Sequence, residues 1–251
     1  MAETLTDGTP FPVVQTAEAS RAIHNHDLNI MRQLLRATGS VAVMLQLPEI
    51  VGFIPEEERD FFDHMSLSQG QLQHNFCPED EWGETGERRA VFGDHWPAEL
   101  EGTRSLITSD LVRLGFDPEK FGYSIELDQK YIEAENASRN PEVHADGTLS
   151  RKEFSIYDLI YFYSNCHATL FYHGLATFRD IEAEGGIRLD SDSIDISSSP
   201  LVQPPDYAIV RGTHITGHAS PILTHRSLRT FGRSLLIPDP YDSTVEGRDL
   251  V

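Results

Sequence analysis

The sequence predicts an α+β protein in which N-terminal helices pack against an antiparallel β-sandwich or barrel. In the first third of the chain, apolar residues recur at helical spacing, whereas after about Tyr123 short β-rich runs alternate with turn residues. Helices followed by a run of short strands are typical of this architecture. Periodicity alone does not separate a jelly roll from a sandwich of another topology.

Length and charge limit the classes of function that fit. The 251 residues suffice for one domain with a sizeable core, and the formal net charge is −20. Such a field repels phosphate backbones and anionic lipid, so we expect neither nucleic acid nor membrane as a partner. The N-terminus lacks the features of a secretory signal, and Cys77 and Cys166 form no disulfide framework. We therefore expect a cytoplasmic protein.

The whole chain, 1–251, is predicted to form a single domain with three parts. A flexible arm covers 1–16, helical support and a lid cover 17–122, and the β core covers 123–240. The support contains a helix over 17–37 ended by Gly39, a buried strand over 40–47, a helix opened by Pro55 and three glutamates, a polar loop or lid over 77–102, and a helix over 106–114 ended by Gly115. The core strands are predicted at 123–133, 154–164, 169–172, 193–196, 207–211 and 233–237.

His144 and Asp146 are the most informative pair in the sequence. Because they lie two residues apart on an extended segment, their side chains point to the same face. An imidazole and a carboxylate side by side supply two neighbouring positions on one metal ion. A third ligand from a distant strand would complete the two-His-one-carboxylate triad, which leaves open positions on iron(II). With 11 histidines in the chain, however, about one such pair is expected by chance.

A second cluster of polar residues lies downstream. It contains three candidate distal ligands and three arginines, His214, His218, His225, Arg226, Arg229 and Arg233. Arginine suits a carboxylate ligand because its planar fork donates two parallel hydrogen bonds. Arg233 opens the apolar run Ser234–Ile237, and the sequence around it shows no acidic neighbour. A cation entering a core in this way is costly unless an anion pairs with it, which indicates a bound carboxylate.

Together these motifs resemble the iron(II)/2-oxoglutarate dioxygenase superfamily. More narrowly, they are similar to bacterial free-amino-acid hydroxylases of the isoleucine 4-hydroxylase type. The segment His218-Ala219-Ser220-Pro221 matches that group's distal-ligand segment, and Arg233 follows His218 at the group's spacing. The stretch LDQKY over 127–131 resembles the group's Q-x-R-Y stretch. The resemblance covers about 123–237, and the longer stretch between Asp146 and His218 implies an inserted hairpin or loop around 175–205.

The resemblance implies a double-stranded β-helix (jelly-roll) core and a cofactor set of Fe(II), 2-oxoglutarate and O₂. It implies His144, Asp146 and His218 as metal ligands and catalytic centre, with Arg233 binding the distal carboxylate of 2-oxoglutarate. Since Asp146 is present where halogenating relatives carry a small residue, hydroxylation of an unactivated C–H is expected. By analogy, the substrate is a small polar metabolite such as a free amino acid.

The resemblance also assigns Gln129 and Tyr131 to the co-substrate site. Several alternatives stay open at this level. Two other histidines are candidates for the distal ligand: His225, which is followed by Arg226, and His214. A cupin-like metalloenzyme that uses no keto acid, or a non-catalytic β-sandwich binding protein, would carry the same residues. Oligomeric state is not determined by the sequence.

Overall fold

The computed structural model describes the greater part of the predicted core and parts of the support. The residues described are 33–34, 37, 41–65, 88–91, 96–115, 117–118, 121–136, 142–145, 149–150, 159–181, 186–190, 193–194, 201–213 and 216–238. The predicted arm, most of the helix predicted over 17–37, Asp146 and His214 lie outside them.

Two α-helices and a 3₁₀ turn accompany the strands in this part of the chain. The helices are α1 (Glu56–His64) and α2 (Glu101–Arg113), and the 3₁₀ turn is Ala98–Leu100. The strands are β1 (Val41–Met44), β2 (Glu49–Phe53), β3 (Arg88–Val91), β4 (Phe121–Ile132), β5 (Leu149–Ser150), β6 (Ile160–Ser164), β7 (Leu170–Tyr172), β8 (Leu175–Ile181), β9 (Gly186–Asp190), β10 (Leu201–Val202), β11 (Ala208–Gly212), β12 (Gly217–Ala219) and β13 (Ser227–Pro238).

Two sheets form the core, and the chain alternates between them. The larger has the order β2-β11-β6-β13-β4-β3, and the smaller has β10-β7-β12. The segment around His144 joins the smaller sheet through an antiparallel bridge to His218 on β12. After β4 in the larger sheet, the chain therefore passes to His144 in the smaller sheet and returns to β6 in the larger. It then crosses to β7 and β10 in the smaller sheet, returns to β11, crosses to β12 and returns to β13. This strand order is that of a jelly roll, and it confirms the predicted fold class.

The larger sheet separates two apolar clusters, because successive side chains on a strand point to opposite faces. The inner cluster, between the two sheets, contains Ile160, Phe162, Phe171, Ala208, Val210 and Phe231. The outer cluster joins the other face to both helices and includes Phe62, Ile107, Leu111, Ile125, Leu127, Tyr161 and Tyr163. The helices thus pack outside the larger sheet, and the inner cluster lies between the two sheets.

A buried ionic cluster holds α2 to the outer face. Asp110 accepts hydrogen bonds from Tyr161 on β6 (3.0 Å), from Arg211 on β11 (2.5 Å) and from Arg113 (2.6 Å). Burial raises the pKa of Asp110, but these hydrogen bonds outweigh burial and hold the pKa below its usual value. At the other end of the helix, buried Glu58 of α1 accepts from the Thr103 backbone N–H (3.0 Å) and hydroxyl (2.7 Å). Both helices are therefore tied down by charge as well as by packing.

The structure corrects two sequence predictions and confirms several. The polar loop predicted over 77–102 contains β3, which pairs with β4 at the edge of the larger sheet. The strand predicted over 193–196 was wrong where it is described, since Ser193 and Ile194 belong to no strand. A hairpin is present where an inserted hairpin or loop was expected around 175–205, because β8 and β9 pair there in antiparallel. That hairpin belongs to a further sheet of order β1-β8-β9-β5.

Among the described residues, no helix is both long and apolar enough to cross a membrane.

Candidate metal and carboxylate site

His144 and His218 lie side by side in the smaller sheet. Their backbones exchange two hydrogen bonds, from His144 N to His218 O (2.9 Å) and from His218 N to His144 O (2.8 Å). The two imidazole rings lie on the same side of this bridge, with centroids 4.4 Å apart. Histidines 74 positions apart in the sequence are thus brought together by sheet pairing, as the metal-site prediction requires.

Each ring is oriented in the same way by its own chain. Nδ1 of His144 lies 2.9 Å from the Glu142 carbonyl oxygen, and Nδ1 of His218 lies 3.1 Å from the Thr216 carbonyl oxygen. A carbonyl only accepts, so Nδ1 is the donor in both contacts, and Nε2 of each ring is left to face a metal ion. Histidines that bind metals are commonly oriented by such a bond from the other ring nitrogen. The donor set therefore fits a divalent transition metal.

Close packing on the opposite side of β12 restricts the residue before His218. A side chain at Gly217 would place its Cβ 2.7 Å from Leu45 Cδ1, so glycine allows β12 to approach Leu45. His218 is itself 5% exposed, whereas His144 is half-buried. His218 is therefore anchored in the core, and His144 lies closer to the solvent.

Aromatic side chains line the inner face around His218. The ring centroid of Phe162 on β6 lies 4.8 Å from that of His218, and the ring of Phe171 on β7 lies 6.2 Å away. Phe231 on β13 lies 6.4 Å from Phe162. These rings form an apolar wall beside His218.

Arg233 lies on this inner face, opposite Phe162. It pairs in register with Phe162 on β6 and with Glu126 on β4, so the three side chains share one face. Its Nη2 donates a 2.8 Å hydrogen bond to Glu126 Oε2. Arg233 therefore has an acidic neighbour, contrary to the prediction from the sequence, because Glu126 comes from a strand that is distant in the sequence.

Arg229, another arginine of the downstream cluster, also lies on the inner face, although the sequence predicted the carboxylate role for Arg233 alone. Its guanidinium lies over the ring of Phe231, 5.0 Å from the centroid, and its Nε donates to the His167 carbonyl (3.0 Å). The residue is 4% exposed. Burial lowers the pKa of Arg229 to about 10, although the acidic groups of Cys166 and Asp128 act in the opposite direction. Arg229 is two residues from Phe231 and four from Arg233, so alternation along the strand could have predicted that all three share one face.

Gln129 and Tyr131 are not brought to this site. Gln129 Nε2 donates to Thr230 Oγ1 (2.9 Å) and to the Asp63 carbonyl of α1 (2.5 Å), which places it on the helix-facing side of the sheet. Tyr131 follows two residues later on the same strand, is 55% exposed, and lies under the guanidinium of Arg226. Residues in phase with Leu127, which packs against the helices, point away from His218.

The other candidate metal ligands named from the sequence are His225, Asp146 and His214. His225 lies in the exposed turn before β13, where its ring contacts His167 at 5.0 Å. Asp146 and His214 lie outside the described residues. Within those residues, no three His, Cys, Asp or Glu side chains form a complete metal-binding group. The structure therefore pairs His144 with His218, and the third ligand stays a prediction.

Comparison with known proteins gives similarity in structure only. No family model matches the sequence, and no curated protein is detectably similar to it. A dioxygenase for auxin oxidation in rice is 12% identical, with a TM-score of 0.40, over 84% of this chain and 77% of its own. EvdO2 from Micromonospora carbonacea var. aurantiaca is 11% identical, with a TM-score of 0.45, over 96% and 97% of the two chains. A Pseudomonas putida prolyl-4-hydroxylase is 9% identical, with a TM-score of 0.38, over 82% and 95%. At these values the similarities decide nothing, and the fold assignment rests on the strand order above.

Proposed function

We propose that the protein is a non-haem iron(II) oxygenase of the 2-oxoglutarate-dependent superfamily. The observation that carries the proposal is the His144–His218 pair, with both Nδ1 atoms donating to backbone carbonyls. Asp146 is the proposed third ligand, because it is two residues beyond His144 in the sequence. When bound, iron(II) supplies the activation of O₂ and the oxidation of an unactivated C–H bond.

The protein's own part in this reaction is to orient ligands and to exclude water. The carbonyls of Glu142 and Thr216 fix the two imidazoles, so the lone pair of each Nε2 is available for the metal. Phe162 and Phe171 form an apolar wall beside His218. A water-poor wall of this kind suits a site that must keep a reactive oxidant from side reactions.

The distal carboxylate of 2-oxoglutarate requires a cation on the inner face. The sequence predicts Arg233 for this role, and the structure adds Arg229. We assign the role to Arg229, because it is the more deeply buried of the two arginines and lies over Phe231 on the inner face. Arg233, which already meets Glu126, is the alternative that the experiment below tests.

The proposed reaction is hydroxylation of a small polar metabolite, and the family resemblance extends this to a free amino acid. The cytoplasmic location predicted from the sequence is part of the proposal. A metalloenzyme that uses no keto acid would share the histidine pair but would give the two arginines no role in binding a co-substrate. A non-catalytic binding protein would have no metal affinity at all.

The test is anaerobic titration of the protein with iron(II) and then 2-oxoglutarate, with binding followed by calorimetry and by the visible band of the metal–keto-acid chelate. We expect His144→Ala and His218→Ala to abolish metal binding, and His225→Ala, the matched control, to preserve it. If metal binding is lost in His225→Ala but retained in His218→Ala, the distal ligand is His225 and not His218. A wild-type protein that binds no iron(II) would refute the proposal.

The two arginines are separated by comparing 2-oxoglutarate with 2-oxopentanoate, which has the same keto acid but lacks the distal carboxylate. We expect wild-type protein to prefer 2-oxoglutarate by about 100-fold, as a charge-assisted bidentate pair predicts. Arg229→Met should lose this preference, and Arg233→Met should keep it. The reverse result would return the role to Arg233.

A further inference from the structure

Strand β12, which carries His218, has apolar contacts on both of its faces. On the inner face, the rings of Phe162 and Phe171 lie beside the imidazole. On the outer face, a Cβ built on Gly217 would stand 2.7 Å from Leu45 Cδ1, 3.5 Å from Cδ2 and 3.6 Å from Cγ. Successive residues of a strand point to opposite faces, so the Leu45 side chain lies directly behind the metal-binding histidine. Leu45 therefore limits how far β12 can move outward.

Leu45 is itself held in place by a closed circuit of backbone pairing. It directly follows β1, which pairs with β8 along its whole length, and its N–H donates to the Gly174 carbonyl at 2.8 Å. Strand β8 follows β7 after two residues, and β7 pairs with β12 through Tyr172↔Gly217. The path from Gly217 through β7, β8 and β1 thus returns to Gly217 at the Leu45 side chain. Leu45 is 1% exposed, so protein surrounds this side chain.

The chain that carries His144 is joined to the same sheet. Strand β5 begins five residues after His144 and pairs with β9 through Leu149↔Ile187 and Ser150↔Gly186. Strand β9 pairs in turn with β8. The sheet of order β1-β8-β9-β5 therefore holds the chain at both histidines, although it is neither of the two sheets that form the core.

We propose that Leu45 is a positioning residue for the metal site, and that its contact with Gly217 fixes His218 relative to His144. This rests on the proposed function, because it concerns the same two histidines. Strand β12 has only three residues, and two backbone hydrogen bonds join it to His144. So short a strand has few backbone bonds to hold it, and side-chain packing sets its depth. Metal–ligand distances must be kept to within about 0.2 Å, so a small displacement of β12 weakens binding.

The first experiment separates positioning from a contribution to stability alone. It compares Leu45→Ala with Leu111→Ala, which removes the same atoms from an equally buried leucine of the outer cluster. Iron(II) affinity is measured by anaerobic calorimetry, at a temperature where circular dichroism shows every variant to be folded. We expect Leu45→Ala to bind iron(II) about 10-fold more weakly, as changes outside the ligand shell do. Leu111→Ala should stay within about twofold of wild type, because distant sites act independently.

The conservative variant Leu45→Met keeps the volume of the side chain and should bind iron(II) as wild type does. Wild-type affinity in Leu45→Ala, or equal losses in the two alanine variants, would overturn this inference and leave the proposed function intact. A wild-type protein that binds no iron(II) would overturn both.

The second experiment changes the same contact from the other side. The added methyl group of Gly217→Ala meets Leu45 and displaces β12, so we expect iron(II) binding to weaken about 10-fold. In the double variant with Leu45→Ala, the methyl group enters the space that the leucine leaves, and binding should be tighter than in Gly217→Ala alone. Gly52→Ala, on β2, is the control and should bind as wild type does.

Independent losses, about 100-fold in the double variant, would refute the positioning role. If Leu45→Ala fails to fold, Leu45→Val takes its place in the same cycle.

Discussion

Gly232 is the position where the structure makes its sharpest stability prediction. It lies on β13 between Phe231 and Arg233, and its Cα is paired with that of Tyr163 on β6. The Tyr163 ring lies over the glycine, so an added Cβ would overlap ring atoms and stand 2.6 Å from Cζ. Tyr163 cannot move aside easily, since it is 2% exposed and its hydroxyl hydrogen-bonds Ser234 Oγ at 2.9 Å.

We expect Gly232→Ala to lower the free energy of unfolding by about 3 kcal/mol, at the upper end of the range for overpacked cores. For a chain of this size, this is a fall in Tm of roughly 9 °C. Gly52→Ala is the matched control. It lies on the same helix-facing side of the sheet, but its Cβ would stand 3.3 Å from a methyl group of Leu106, a flexible side chain. We expect that variant to change stability by less than about 1 kcal/mol.

A double-mutant cycle tests the cause. Tyr163→Leu removes the ring atoms beyond the δ carbons and the hydrogen bond to Ser234, and should cost about 2 kcal/mol alone. If the ring overlap is the cause, Gly232→Ala with Tyr163→Leu should be about 2 kcal/mol more stable than the sum of the single changes. Urea denaturation followed by circular dichroism measures all four proteins. Additive effects, or a Gly232→Ala cost below about 1 kcal/mol, would refute the reasoning.

Two further predictions concern titrating groups. Asp110→Asn should destabilise the fold by about 2 kcal/mol at pH 7, because it removes the buried partner of Arg211 and leaves only the exposed Glu49. Glu101→Gln, at an exposed pair on the same helix, should change little. The pKa of Asp110 is lower in the folded state than its unfolded value of about 4. The stability that Asp110 contributes is therefore present above pH 4 and is lost as the pH falls through the folded pKa. The urea midpoints of the variant and the wild type should accordingly converge in acid. An unchanged gap at low pH would contradict the assignment. Burial raises the pKa of the Cys166 thiol to about 11. Its alkylation at pH 8, measured by peptide-resolved mass spectrometry, should therefore be about 100-fold slower than that of a free thiol. Equal rates would show that the thiol is exposed.

The sequence by itself determined the chemistry available and the class of fold. The short strands after Tyr123 and the helices before them predicted a helix-covered antiparallel core, which the strand order confirms. His144 could be named from local spacing, because a His and an Asp two residues apart on a strand share a face, whereas His218 was selected from three candidates by the family resemblance. Alternation along β4 also carried information that was not used: Gln129 is in phase with Leu127, and Glu126 and Asp128 are in the opposite phase.

Only the tertiary structure decided which of these residues meet. His144 and His218 become neighbours through a bridge between two strands, and sequence spacing does not encode that pairing. The Glu126 partner of Arg233 lies 107 residues away, so the sequence made Arg233 look unpaired. Which face of β4 lines the site was likewise undetermined, because the apolar face of that strand packs against helices and its polar face turns inward. Local periodicity fixes which side chains share a face, and long-range pairing fixes what that face meets.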